Sequence, residues 1–204
     1  MTSEHVKLPD YKSFTVTLDQ KIAHVQFSRP EAMNSMNKDF WVELPQCMRD
    51  IECQTDARVI VISSTGKHFS AGMDLGVFSD SSTMPQSKDP SRMAEGLRRL
   101  VLQLQATLSS LEEIRLPVLT AIQGGCIGGA LDLVCAADSR YCTADAYFTI
   151  KETELGMTAD VGTLQRLPKL IPAGIVKELA FTGRKFTAQE AQQFGLVNRV
   201  YDDQ

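Results

Sequence analysis

The 204-residue sequence has no cysteine pair spaced C-x-x-C, no histidines at metal-ligand spacing, no block of lysine or arginine and no long apolar run. Each absence excludes a class. The five cysteines (47, 53, 126, 135 and 142) are odd in number and sit in apolar or helical surroundings. They predict buried thiols in a reducing compartment, not a disulfide framework. His5, His24 and His68 are scattered, so no metal site is expected. A net charge of −4 without a basic block argues against a nucleic-acid partner. The apolar runs are far too short for a membrane span. The first ten residues lack both the apolar core of a signal peptide and the arginine-rich pattern of a transit peptide, so no targeting signal is visible. The final Tyr201-Asp202-Asp203-Gln204 is not a Ser-Lys-Leu signal.

What is present is an ordinary globular composition, with 43% hydrophobic and 23% charged residues. It predicts a polar N-terminal tail over 1–12 and one core domain over 13–204. Alternating residues over 14–18 and 22–27 predict a hairpin. A helix is expected over about 38–54, capped by Asn37 or Ser35, with Phe40, Trp41, Leu44, Met48 and Ile51 on its core face. Pro45 falls inside that helix and predicts a kink or break.

A buried strand over 58–63 leads into the loop 64–75. That loop leaves the C-terminal end of a strand, where α/β folds place ligands, and Ala71-Gly72 allows close backbone approach. It reads equally well as a turn into a short helix capped by Asp74. After a polar loop over 79–91, Leu97, Leu100, Val101, Leu104, Leu108 and Leu111 mark a helix over about 92–113. Then come a buried strand over 117–122, short strands over 139–142 and 147–150, and helices near 161–168, 174–182 and 187–194. A last strand is expected over 196–200. Thr187 and Glu190 have capping-box spacing. Strands alternating with helices predict an α/β fold.

Gly124, Gly125, Gly128 and Gly129 lie between the strand 117–122 and a helix starting at Ala130. At a strand-to-helix turn, unpaired N–H groups point outward and the helix dipole favours negative charge. No Lys-Ser or Lys-Thr follows, which excludes a P-loop. The glycines do not fall as G-x-G-x-x-G, which argues against a dinucleotide site. Two readings stay open: close strand–helix packing, or a backbone N–H aimed at an oxygen that gains charge during reaction.

Four segments together resemble a known family: Arg29-Pro30 with Ala32-Met33-Asn34; Phe69-Ser70-Ala71-Gly72-Met73-Asp74-Leu75; Gly124 to Asp132; and Gly156 through Gln165-Arg166-Leu167-Pro168. In this order and spacing they resemble the crotonase, or enoyl-CoA hydratase/isomerase, superfamily over nearly the whole chain from residue 14. Within it, 124–129, 140–142 and 159–168 resemble members that convert 3,5-dienoyl-CoA to 2,4-dienoyl-CoA in fatty-acid beta-oxidation. The resemblance implies a spiral of ββα units and an acyl-CoA thioester as substrate. It implies no metal or other cofactor, coenzyme A being part of the substrate. It also implies the mitochondrial matrix or the peroxisome. Related enzymes continue into C-terminal helices that cover the pocket and support a homotrimer or homohexamer. The sequence ends before them, so the C-terminal helical extension is expected to be missing.

Carried over by position, the resemblance makes the Met73 and Gly129 amides an oxyanion hole. It places Ala71, Gly72, Met73, Asp74, Leu75 and Gly129 against the substrate, and Asp132, Glu152 and Asp160 as catalytic acids. A thioester acidifies its alpha carbon only if the enolate oxygen is stabilised, and fixed N–H donors do this without reorganising. Relocating two double bonds takes a proton from carbon 2 and returns one at carbon 6. Two acids at different depths fit that span. The family assigns Asp160 as base and Glu152 as donor, with the reverse assignment left open and Asp132 tuning the pair. Local readings compete: Asp132 on the helix dipole, Glu152 paired with Lys151 or an arginine, Asp160 as a helix N-cap. Ala130 stands where the family has a third glycine. An enoyl-CoA hydratase using Asp132 and Glu152, or a truncated non-catalytic acyl-CoA binder, are the alternatives. Asp160 argues against the hydratase.

Overall fold

A computed structural model describes residues 8–79 and 85–203. Residues 1–7 of the expected tail and 80–84 of the expected polar loop lie outside the described residues. The first half of the chain runs β1 (Phe14–Asp19), β2 (Ile22–Phe27), α1 (Lys38–Gln54), β3 (Val59–Ser64), α2 (Gly76–Ser79), α3 (Pro90–Glu113) and β4 (Val118–Ile122). It continues through β5 (Gly125–Ile127), α4 (Gly129–Ala136), β6 (Ser139–Thr143), β7 (Tyr147–Thr149), α5 (Thr163–Arg166), α6 (Ala173–Thr182), β8 (Phe186–Thr187), α7 (Ala188–Phe194) and β9 (Arg199–Tyr201).

These form the expected spiral of ββα units. One sheet has the order β1-β2-β3-β4-β6-β9, parallel except for the β1–β2 hairpin. A smaller sheet has the order β5-β7-β8. In the later turns the first strand of each pair joins the large sheet and the second joins the small one. β4 and β6 neighbour each other in one sheet, β5 and β7 in the other. After β3, Ser70 takes the second strand's place by bridging to Cys126. The glycine stretch is therefore not a simple strand-to-helix turn. It contains β5, because Ser70 on one side and β7 on the other supply partners for its backbone.

The predicted α1 face is buried, and Asn37 caps the helix by accepting the Phe40 N–H. Of the kink or break expected at Pro45, the break does not occur: α1 runs through it. Proline has no N–H for the carbonyl four residues back. That carbonyl, on Trp41, instead accepts the buried Thr107 hydroxyl of α3 at 2.9 Å. The last strand starts at Arg199, later than expected. The Leu196 N–H is already taken by the Ala191 carbonyl at the end of α7. The capping box of Thr187 and Glu190 forms as read. Cys47, Cys126, Cys135 and Cys142 are buried free thiols, whereas Cys53 is exposed. Among the described residues no helix is long and apolar enough to cross a membrane.

Candidate active site

Two loops meet where β3 ends and α4 begins. Ser70 donates its N–H to the Gly125 carbonyl, and Ile127 donates to the Ser70 carbonyl, both at 3.1 Å. On the other side, Met36 donates to the Gly72 carbonyl at 2.8 Å and Asp74 to the Met36 carbonyl at 3.1 Å. This bridge uses the Gly72 carbonyl and the Asp74 N–H, on either side of Met73, and leaves the Met73 N–H out. Gly129 opens α4, where N–H groups have no intrahelical partner. Among the described residues, neither the Met73 nor the Gly129 amide donates to a protein acceptor. Gly72 sits at φ +81°, and a methyl there would lie 2.4 Å from the Ile127 oxygen and 2.9 Å from the Gly129 nitrogen. Both are main-chain atoms that cannot swing away, so the contact between the loops requires glycine.

Beside this contact lies a largely apolar cavity of about 860 Å³. Its lining brings together Met73, Gly129, Asp132, Glu152 and Asp160, with Ala71, Asp74 and Leu75 at one end. Of the residues expected against a substrate, only Gly72 is absent from the lining, buried behind the contact it permits. One wall is α3, which contributes Leu97, Leu100, Val101 and Leu104. The stripe read from the sequence is thus divided. Leu108 and Leu111 are fully packed in the core, while Leu97 is 45% exposed on the cavity side. Helical spacing signals such a stripe but not where it leaves the core. Leu155, Met157 and Val161 also line it and were missed, since nothing periodic marks them.

The acids differ in surroundings. Asp132, in the first turn of α4, is fully buried. Its Oδ1 accepts the Thr163 N–H at 2.5 Å, and its Oδ2 has no partner. Burial pushes its carboxyl from 3.8 up to about 6; the Thr163 hydrogen bonds and Arg166 oppose the rise, and Asp160 adds to it. Glu152 opens the 3-10 turn Glu152–Leu155, and its buried Oε2 also lacks a partner. Burial first, then the Asp132 charge, push it from 4.5 up to about 7. The local reading of a Glu152–Lys151 pair fails, because Lys151 bonds Glu154. Asp160 stands exposed at the rim, its carbonyl held by Gln105 Nε2 at 2.5 Å. It is not a helix cap: α5 starts from Gly162 with no side-chain cap, and the Thr163 amide goes to Asp132.

Residues 17–204 match the enoyl-CoA hydratase/isomerase family. The chain belongs to that family. The resemblance read from the four segments is borne out by individual relatives. Delta(3,5)-Delta(2,4)-dienoyl-CoA isomerase, mitochondrial, of Mus musculus is 48% identical over 202 residues, which are 98% of this chain and 62% of that protein. The peroxisomal protein of the same name from Arabidopsis thaliana is 40% identical over 198 residues, covering 95% of this chain and 71% of that protein. In structure, the enoyl-CoA hydratase from Thermoplasma volcanium GSS1 matches with a TM-score of 0.81 at 31% identity, over 94% of this chain and 72% of that one. This enoyl-CoA hydratase/isomerase family member thus spans about 62% of the length of the mouse relative. Among its described residues, no group of three or more His, Cys, Asp or Glu is placed to hold a metal ion.

Proposed function

We propose that the chain isomerises 3,5-dienoyl-CoA to 2,4-dienoyl-CoA by proton transfer through an oxyanion-stabilised dienolate. The observation that carries this reading is the meeting of three carboxyls with two unpaired amides on one apolar cavity. The thioester oxygen takes the Met73 and Gly129 N–H groups, and the acyl chain lies along the α3 wall. Asp160 removes a proton from carbon 2. Charge spreads over the dienolate, and Glu152 delivers a proton at carbon 6. A carboxyl raised to about 7 holds its proton for part of the time at neutral pH, which suits a donor. Asp132 tunes Glu152 from a buried position and receives no substrate proton. The reaction moves protons without net electron transfer, so it calls for no redox group, and coenzyme A arrives with the substrate.

The names of the mouse and Arabidopsis relatives support the substrate and a mitochondrial or peroxisomal setting; fatty-acid beta-oxidation is what the family resemblance adds. Assembly as a homotrimer or homohexamer goes with that reading where the C-terminal helices are present. A second reading, enoyl-CoA hydratase, is favoured by the Thermoplasma volcanium structure. In it Asp132 and Glu152 activate water, and Asp160 has no task.

The test is the ultraviolet absorbance of the conjugated 2,4-dienoyl thioester, followed from 3,5-dienoyl-CoA, with hydration of 2-enoyl-CoA assayed in parallel. Rapid conjugation that collapses in Asp160→Asn, with weak hydration, is expected. Hydration without conjugation overturns the isomerase reading. Binding of the thioester by a folded chain without turnover of either substrate overturns both and leaves an acyl-CoA binder.

A further inference from the structure

The turn 160–163 links two of the three acids. It carries the Asp160 side chain, and its last residue gives its amide to Asp132. Each of its residues is tied through the main chain. The Asp160 carbonyl accepts Gln105 Nε2 at 2.5 Å, and the Val161 carbonyl accepts Arg166 Nη1 at 3.4 Å. The Gly162 carbonyl accepts the Gln165 and Arg166 amides at 3.1 and 2.9 Å. The Thr163 amide donates to Asp132 Oδ1 at 2.5 Å.

Gly162 lies at φ +148°, and a methyl there would fall 1.9 Å from Arg166 Nη1. The guanidinium therefore rests directly on the turn. Its other side grips α3: Nε and Nη2 donate to Glu112 Oε2 at 2.8 and 2.5 Å, and Nη2 donates to Ser109 Oγ at 3.0 Å. The arginine side chain is only 12% exposed. Ser109, Glu112 and Gln105 all belong to the helix whose leucines wall the cavity.

On the proposed isomerase reading, we infer that Arg166 is a positioning residue that fixes the 160–163 turn against α3, and so sets Asp160 and Asp132 in register across the cavity. A planar fork reaching a carbonyl, a hydroxyl and a carboxylate at once is what arginine offers and lysine does not. Arg166 also acts on Asp132 through its charge, against burial and the Asp160 charge. The other ionisable groups acting in this neighbourhood are Glu152, from its 3-10 turn, Cys126 on β5 and Cys135 on α4.

Two variants separate geometry from charge. In Arg166→Gln, kcat on 3,5-dienoyl-CoA falls about 10- to 100-fold with KM changed by less than about threefold, as for a misplaced catalytic group. The Asp132 carboxyl, followed by carbon-13 resonance, titrates at higher pH than in the parent. Arg166→Lys restores that titration but not kcat. Wild-type kcat and titration in Arg166→Gln overturn the inference, as does full recovery of kcat in Arg166→Lys. If Arg166→Gln does not fold, Arg166→Lys against the parent still decides, through its kcat. If the parent itself turns over no dienoyl-CoA, the isomerase reading fails separately. The titration then decides about Arg166: an Asp132 resonance unmoved in Arg166→Gln overturns its role.

Discussion

Asp132→Asn is expected to change stability in a way that depends on pH. Folding raises the Asp132 carboxyl from 3.8 to about 6. Between those values the native chain holds a proton that the unfolded chain has released. Stability therefore falls as pH rises through this window, and above it the whole cost of burying the charge is present. A shift of this size corresponds to ~3 kcal/mol. Asparagine keeps an oxygen for the Thr163 N–H, but it places an NH₂ group where Oδ2 has no partner. That buried, unpaired donor costs ~1–3 kcal/mol at every pH. Near pH 4 the parent's protonated carboxyl carries an O–H donor at the same unpartnered place, so the two chains are close in stability there, and the variant is the more stable near pH 8. Glu152 is raised partly by Asp132, so its relief in the variant acts in the same direction. At ~2–4 °C per kcal/mol for a chain of this size, the Tm difference between variant and parent moves by ~6–12 °C between pH 4 and pH 8. Thermal unfolding of both chains across that range measures it. A difference that stays constant with pH would refute the argument that Asp132 is buried as a charge at neutral pH.

Three other outcomes follow. On the proposed reading, in which Glu152 is the donor and is raised to about 7, kcat should decline above pH 7 as the proton is lost, and Glu152→Gln should lower kcat by ~10²–10⁴ and abolish that limb in a pH–rate profile. Gly72→Ala forces a methyl onto the Ile127 oxygen at positive φ, so denaturant titration should show a loss of at least ~1–3 kcal/mol, and kcat should fall with it. Thr107→Val strands the Trp41 carbonyl, costing ~1–3 kcal/mol, and this loss should shrink in a Pro45→Ala background because that substitution returns the missing main-chain N–H; a double-mutant cycle reads the coupling.

The parts of the fold legible in sequence are those written in local periodicity. The hairpin, the α1 face and the Thr187 capping box are set by neighbours within a few residues, and each forms as read. The errors arise where a distant residue intervenes. Nothing near Pro45 announces that Thr107 will take the carbonyl it leaves orphaned. Nothing in the glycine run shows that β7 on one side and Ser70 on the other will turn part of it into a strand. The same holds for the acids. The family pattern indicated Asp132, Glu152 and Asp160, and the fold gathers all three on one cavity. Local sequence could not show that two carboxyl oxygens would be left without partners, since that depends on which chain segments close over them.

The contact at Gly72 separates what substitution can change from what it cannot. The spacing of the Met73 and Gly129 amides is set by main-chain pairing between two loops and by the buried Ser70 hydroxyl, which accepts the Gly72 N–H and donates to the Asn34 carbonyl, and not by the side chains that line the cavity. Exchanges among the lining residues can redirect protons, admit water or reshape the apolar wall while leaving those amides where they are. On the proposed reading, stabilisation of an enolate oxygen is thus a fixed property of the architecture, and the fate of the enolate is open to revision one side chain at a time.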